Sequence, residues 1–493
     1  MDLTVLNVAI PDLERGLHST TAQVQWIVDG YALALGGLVL STGALVDRVG
    51  RRRAFITGLA LCSTASLTGA LAPTAAVVIA ARCGMGVGAA LLMPATLSII
   101  SNLFPQPEPR RRAIAAWAAT AGLGMLTGPV IGGALVELCS WRAGFWINLP
   151  IGAVAIASAL LLVPETRAPR ANSGDPAGAL LSAAALSALV WAVIEAPVLH
   201  WTSAPVLGAF CAAAFLLSAF LVQQHRSATP MLPLALVRDR HISGGAAALA
   251  LMSFALFGAL FVLTLYLQGV LGYTPWQAGL RTLPQAAALA AGSVAGLPLL
   301  SRYGVKTPVV LGLLTVSAAF GIMTGTSTTS TYTRLAIVQT IAGFGAGLVA
   351  AAGTEAIMSA TPRHRAGIGS ALNDATRQVG AALGVAVQGS LLATRYTRRL
   401  TSLTAPLHLP TDTLQSTSAH AVPGAFHPDT AIPPHLRTVL TDVTRHAFID
   451  SMATTALVAG AVTLTTTVAV GCWMPGALLL KTRGDRNSGQ AQP

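Results

Sequence analysis

Fourteen apolar runs, separated by short turns that hold most of the charge, constrain this chain more than any other feature. They cover about 1–11, 24–46, 54–72, 75–100, 113–138, 143–163, 177–196, 205–222, 243–267, 278–300, 308–325, 335–358, 367–393 and 448–474. Nearly all are long enough to cross ~30 Å of hydrocarbon, which takes about 20 helical residues. The exception is Met1 to Pro11, whose helical rise of ~1.5 Å per residue covers about half of that thickness. A charged amine at mid-membrane is costly, so the reading expects a cytoplasmic segment and half a helix ahead of Met1. The stretch has neither the basic head nor the small-residue cleavage site of a signal peptide.

Composition agrees with a bilayer. The 493 residues are 53% hydrophobic and 10% charged, against roughly 25% charged in soluble domains. The net charge of +12 invites a nucleic-acid reading, but the basic residues form no continuous patch. Nineteen of the 30 Lys and Arg lie in seven short clusters: Arg48–Arg53, Arg110–Arg112, Arg167 with Arg170, Arg226–Arg240, Arg302 with Lys306, Arg363 with Arg365, and Lys481–Arg486. These fall in alternate loops, as one topology requires, and mark the cytoplasmic face. The five cysteines sit inside apolar runs, where they read as small buried residues rather than disulfides or zinc ligands.

The chain divides into an all-α membrane protein of two six-helix bundles, 1–163 and 243–474, with a linker and two central helices at 164–242 and a cytoplasmic tail at 475–493. An internal repeat supports this. Arg302-Tyr303-Gly304 holds in the second bundle the place of Arg48-Val49-Gly50 in the first, with Ser301 in place of Asp47. Trp26, Trp141, Trp201 and Trp276 fall at outer helix ends and read as an aromatic belt. The outer loop 395–446 carries His408, His420, His427, His435 and His446 in no recognised ligand spacing. It reads as a solvated, partly disordered loop, and no metal site is expected.

Three stretches carry function. In Gly43-Ala44-Leu45-Val46-Asp47-Arg48-Val49-Gly50-Arg51-Arg52-Arg53, four arginines beside one acid close a tight cytoplasmic hairpin. Gly43 and Gly50 allow close backbone approach, and Asp47 is placed to accept from backbone N–H groups or a neighbouring arginine. Arg82, within Arg82-Cys83-Gly84-Met85-Gly86-Val87-Gly88-Ala89-Ala90, lies in an apolar run at ~2.5–3.5 kcal/mol, so a cavity and a carboxylate partner are expected. In the fifth run, Gly124, Gly128 and Gly132 form a smooth stripe, Gly133 follows, and Pro129 removes a ladder bond and bends the helix.

The hairpin resembles the loop between the second and third helices of major facilitator superfamily transporters, where it latches the cytoplasmic gate. The helix 4 stretch is similar to a family motif R-x-x-Q-G-x-G-A-A, with Met85 where Gln is usual. The fifth run resembles the antiporter signature G-x-x-x-G-P-x-x-G-G of that superfamily. Met1 to Pro11, Trp26-Ile27-Val28-Asp29-Gly30-Tyr31, Trp141-Arg142, Ile147-Asn148-Leu149-Pro150-Ile151-Gly152, Tyr266-Leu267-Gln268-Gly269, Gly369-Ser370-Ala371-Leu372-Asn373 and Arg377-Gln378-Val379-Gly380 resemble the fourteen-helix drug:proton antiporters, which include exporters of quaternary ammonium compounds. The resemblance covers essentially the whole chain. It implies a major facilitator fold and a proton-coupled exporter of amphipathic, cationic or antibiotic-like compounds in a bacterial-type inner (plasma) membrane. The expected unit is a monomer with no cofactor, driven by the proton gradient, whose partners are small substrates, protons and lipid.

Acids in apolar runs are costly and therefore functional candidates: Asp2, Asp29, Glu355 and Asp374. Asp2 and Asp29 are expected to couple protons or meet the substrate cation, with Arg82 tuning the nearby acid. Asp374 and Arg377 are spaced to pair along one helical turn. Glu195 reads as structural, and Glu137 and Asp450 as interfacial. No HExxH, GxSxG, Walker or paired CxxC pattern supports an enzyme. An importer of a small solute and a non-transporting relic remain the alternatives.

Overall fold

A computed structural model describes residues 2–104, 106–167, 175–227, 229–327, 330–361, 366–404 and 434–475. Among these the chain forms fourteen long helices joined by short turns. The first six are α1 (Asp2–Leu17), α2 (Thr21–Val49), α3 (Arg51–Ala70), α4 (Ala75–Leu103), α5 (Pro107–Leu138) and α6 (Ala143–Leu162). Two more follow, α7 (Pro176–Leu199) and α8 (Ala204–Arg226). The last six are α9 (Arg240–Val270), α10 (Pro275–Tyr303), α11 (Lys306–Thr324), α12 (Tyr332–Ala360), α13 (Ala366–Thr404) and α14 (Pro434–Trp473). Within the first bundle α4 packs on α2 and α3, and α5 on α1; within the second α12 packs on α10 and α11, and α13 on α9. The added pair α7–α8 rests on α2 and α13, one helix of each bundle.

Among the described residues, ten of the fourteen are long and apolar enough to cross a membrane by length and composition. Arginine runs or clusters stand at Arg51–Arg53 of α3, Arg110–Arg112 of α5 and Arg395–Arg399 of α13. Packing within the membrane depends on small residues, because lipid is as apolar as a side chain and gives no hydrophobic drive between helices. At the α2–α4 crossing, a β-carbon on Gly86 would lie 2.5 Å from the Tyr31 carbonyl oxygen. In the second bundle, Gly312 and Gly345 bring α11 and α12 together in the same way.

The repeat is visible in the helix starts. Thr20 and Gln23 form a capping box at α2, with Gln23 N–H donating to Thr20 Oγ1 at 3.3 Å and Thr20 N–H to Gln23 Oε1 at 3.0 Å. Thr274 and Gln277 repeat it at α10, at 3.3 and 3.4 Å. Each box satisfies two otherwise orphaned donors of its first turn. The hairpin glycines repeat too: Gly50 has φ +115° and Gly304 φ +73°, a region that side chains with a Cβ avoid.

Three sequence expectations need correction. The outer loop is shorter than 395–446, because α13 runs on to Thr404 and α14 begins at Pro434; His408, His420 and His427 lie outside the described residues. Trp141 is only 4% exposed and packs edge-on against Phe145, so it belongs to the interior and not to an interfacial belt. Cys139, Cys211 and Cys472 are exposed at the helix surface instead of buried, and all five cysteines are free. Helices 9 and 10 are interrupted, by a π turn at Tyr266–Val270 and a break at Thr282. Such irregularities free backbone groups and often mark functional positions.

Candidate functional site

The hydrogen bonds that join the two bundles cluster at their outer ends. Gln25 of α2 is buried and its Nε2 donates to the carbonyls of Val385 and Ala386 on α13, both at 3.2 Å. Gln268, in the π turn of α9, donates to the Val8 carbonyl of α1 at 2.8 Å. The Trp276 N–H at the start of α10 donates to Glu137 Oε2 of α5 at 3.1 Å. These bonds hold the two bundles together on the outside.

The glycine–proline stripe of α5 supplies much of that closure. Gly132 meets α1: a β-carbon there would lie 2.7 Å from Val5 Cα. Gly133 meets α10, where the same atom would lie 2.5 Å from the Pro275 carbonyl oxygen. Across the seam, a β-carbon on Gly279 would collide with the carbonyl of Pro129. Pro129, Gly132 and Gly133 therefore act together as a backbone-to-backbone joint, with Gly128 buried beside them and Gly124 half-buried one turn earlier.

Asp29 and Arg82 lie deep in the first bundle. Asp29 is 1% exposed, and neither carboxylate oxygen has a hydrogen-bond partner. Arg82 is fully buried; its Nε donates to the Ile27 carbonyl at 3.1 Å and its guanidinium lies 4.6 Å from the Tyr31 ring centroid. The expected pairing of Arg82 with a carboxylate is not made with Asp29. Close packing at Gly30 and Gly86 brings α4 near enough for the arginine to reach the Ile27 carbonyl and the Tyr31 ring of α2, two residues either side of the acid. An arginine held by a carbonyl and an aromatic face keeps its charge without a carboxylate partner. The side chain of Asp2 lies outside the described residues.

The second-bundle acids differ. Glu355 is exposed. Asp374 is half-buried and accepts from Asn373 Nδ2 at 3.4 Å, while Asn373 Oδ1 accepts from Thr354 at 3.0 Å. Arg377 lies within electrostatic reach of Asp374, but the two form no ion pair. The structure thus does not bring Glu355 and Asp374 together with Asp29 and Arg82 as one cluster of paired charges.

At the cytoplasmic end the hairpin is a single residue, Gly50, between α2 and α3. Asp47 pairs with Arg51 at 3.1 Å. Glu165, beyond the end of α6, accepts from the N–H of Arg52 at 3.3 Å and of Arg53 at 3.2 Å, and Arg52 Nη1 donates to the Val163 carbonyl at 3.3 Å. A carboxylate at a helix N-terminus satisfies orphan donors and meets the positive end of the dipole. Gly50 faces Glu165 so closely that a β-carbon would lie 2.6 Å from Oε1. Arg48 is exposed, and Gly43 lies loosely against Pro94. Sequence reasoning treated Glu165 as part of a polar linker; the one available signal was a lone acid following the sixth apolar run.

Beside the seam, the added helices wall an apolar cavity of about 490 Å³. Gly36 and Leu40 of α2, Leu186 of α7, Phe210 and Leu217 of α8, and Thr376 of α13 line it. A volume of that order suits a drug-sized molecule.

Two helical bundles with a shared outer seam, buried charge inside one of them and a latched inner hairpin define a multi-pass membrane carrier. The Major Facilitator Superfamily model matches residues 1–385, and the chain belongs to that family. It is 33% identical over 471 residues to the tetracenomycin C resistance and export protein of Streptomyces glaucescens, covering 94% of this chain and 87% of that one. It is 32% identical over 472 residues to the multidrug efflux pump LfrA of Mycolicibacterium smegmatis, covering 96% and 92%. Among solved structures, it resembles an inward-facing, unoccupied bacterial homologue of the human lysosomal transporter Spinster, with TM-score 0.65, 17% identity, and 96% and 94% coverage. That likeness shows the fold.

Proposed function

We propose that this chain is a proton-driven exporter of amphipathic, cationic or antibiotic-like compounds, acting as a monomer without a cofactor. Relatives named for multidrug efflux and antibiotic export support the export direction, as does the glycine–proline joint of α5. The observation that carries the reading is Asp29, a carboxyl with no partner on a helix of the seam. Such a group is costly to hold as a bare anion, and binds either a proton or a cation when the environment changes. The apolar cavity beside α7 and α8 suits the lipophilic part of the substrate. One charge crossing 100 mV supplies ~2.3 kcal/mol, roughly a fifty-fold gradient of a neutral solute.

The test is efflux of a fluorescent lipophilic cation from energised vesicles, with and without a protonophore. Gradient-dependent efflux that falls at least about tenfold in Asp29→Asn is the expected result. Efflux indifferent to Asp29→Asn would move coupling to another acid. No gradient-dependent movement would reject the proposal.

A further inference from the structure

Beside the added helices, small residues leave a hollow between larger ones. Gly36 of α2, Ala185 of α7, Ala213 and Ala214 of α8, Ala250 of α9 and Ala375 of α13 line the apolar cavity of about 490 Å³. Next to it the helices are already in contact. A β-carbon on Gly37 would lie 2.9 Å from Ala183 Cβ of α7, and one on Gly36 3.1 Å from Gln378 Cβ of α13. These close approaches fix the spacing of the walls while the space between them stays unfilled. Among the described residues, no charged side chain lines the hollow. Its two hydroxyls are spent: Ser182 donates to the carbonyls of Ala179 and Gly37 at 3.0 and 3.3 Å, and Thr376 to that of Leu372 at 2.6 Å.

The hollow lies at the depth of the cytoplasmic leaflet. Its first residues on α7, α8 and α13 are Ser182, Phe220 and Leu372, each six residues from the cytoplasmic helix end at Pro176, Arg226 or Ala366, or ~9 Å at the rise of a helix. Leu189, Phe210 and Val379 bound it at the far end. It therefore extends about 10–15 Å, up to half of the ~30 Å of hydrocarbon. The cytoplasmic floor is sealed by polar contacts. Asp175, ahead of α7, accepts from Gln224 Nε2 of α8 at 2.6 Å, Gln224 Oε1 accepts from the Leu232 N–H at 3.0 Å, and Ser41 of α2 donates to Met231 Sδ at 3.0 Å. Met231 and Leu232 are thereby pinned under the cavity they line. The side is open: Ala214 and Leu217 line the hollow and are exposed, next to Phe215, which is 73% exposed on the outer face of α8.

We propose that this hollow is a lipid site, filled by one acyl chain of a phospholipid from the cytoplasmic leaflet. Water does not fill a cavity that offers it no polar partners, and at this depth the medium that reaches Ala214 and Leu217 is hydrocarbon. A packed interior leaves few voids of this size, and the open side admits a chain without breaking the polar floor. The headgroup stays at the interface, because nothing in the hollow replaces its water. The chain touches α2 of the first bundle and α9 and α13 of the second. It thus joins the bundles on one flank, with α7 and α8 as its outer wall. The lipophilic part of a substrate takes the same space by displacing the chain; that displacement, unlike the site itself, rests on the exporter reading above.

The test uses the full chain in nanodiscs of phosphatidylglycerol and phosphatidylcholine, doped with a phosphatidylcholine that carries a photoactivatable diazirine midway along one acyl chain. After illumination, adducts are mapped by peptide mass spectrometry. They are expected on the inner walls, at Gly36–Leu40 of α2 and Leu372–Val379 of α13, as well as on lipid-facing Phe215. Ala213→Phe and Ala185→Phe fill the hollow from two different helices. Each is expected to lower the inner-wall adducts at least about tenfold and to leave those at Phe215 unchanged. Adducts confined to lipid-facing residues of the parent chain would overturn the proposal, as would inner-wall adducts undiminished in both variants. The same mapping with the lipophilic cation in excess separates the two readings. Inner-wall adducts that fall show one site shared by lipid and substrate; adducts that persist leave the lipid site standing and count against the substrate's use of the cavity.

Discussion

The two ends of the molecule are held by different kinds of contact. At the outer end the joints run between bundles and are made by backbone: Gly133 against Pro275, Gly279 against Pro129, and two glutamine amides on carbonyl oxygens. At the cytoplasmic end the joints around the hairpin are made by charge: Asp47 with Arg51, and Glu165 on the first turn of α3. Backbone joints between small residues have no slack, so the outer seam is either fully engaged or absent. Charged joints at a wet surface are adjustable and individually weak. The inner hairpin keeps α2 and α3 together as a unit while the outer seam sets which side of the protein is open.

The strongest break of this contrast is Gly279→Val. The added side chain collides with the Pro129 carbonyl, and overpacking of this kind costs about 1–3 kcal/mol. The outer seam is expected to open, with the initial efflux rate falling about tenfold or more while the protein still reaches the membrane; a rate near the parent value would show that the joint is compliant. Next comes Gly50→Ala, which adds a β-carbon at φ +115° against Glu165. It is expected to lower stability by about 1–3 kcal/mol in thermal unfolding in detergent. Smallest is Asp47→Asn. Its pair with Arg51 is 39% exposed on the acid side, so the loss is expected to stay below about 1 kcal/mol and to vanish at high salt. A larger effect for Asp47→Asn than for Gly50→Ala would mean that charge, not backbone fit, holds the inner hairpin.

The helices were legible because bilayer thickness fixes their length and the positive-inside bias fixes their direction, two signals that need no knowledge of packing. The glycine–proline stripe was also legible, but its partner was not: nothing in Gly133 says that it will meet Pro275 across the seam. Arg82 illustrates the same limit. Its burial followed from the apolar run around it, whereas its contacts with Ile27 and Tyr31 depend on how closely α2 and α4 cross. Glu165 was missed because it sits at the end of an apolar run, where acids are ordinary. Only the fold reveals that it caps a helix more than a hundred residues earlier in the chain. The ends of α13 and α14 were misplaced because a helix continuing into water needs no apolar residues.

That continuation has a practical consequence. With 39 and 40 residues, α13 and α14 reach about 60 Å at ~1.5 Å per residue, roughly twice the ~30 Å of hydrocarbon they cross. They leave the bilayer together, tied by Arg399 and Asp450. Among the described residues this paired extension is an asymmetric landmark, by which single particles can be oriented and against which an antibody fragment can be raised.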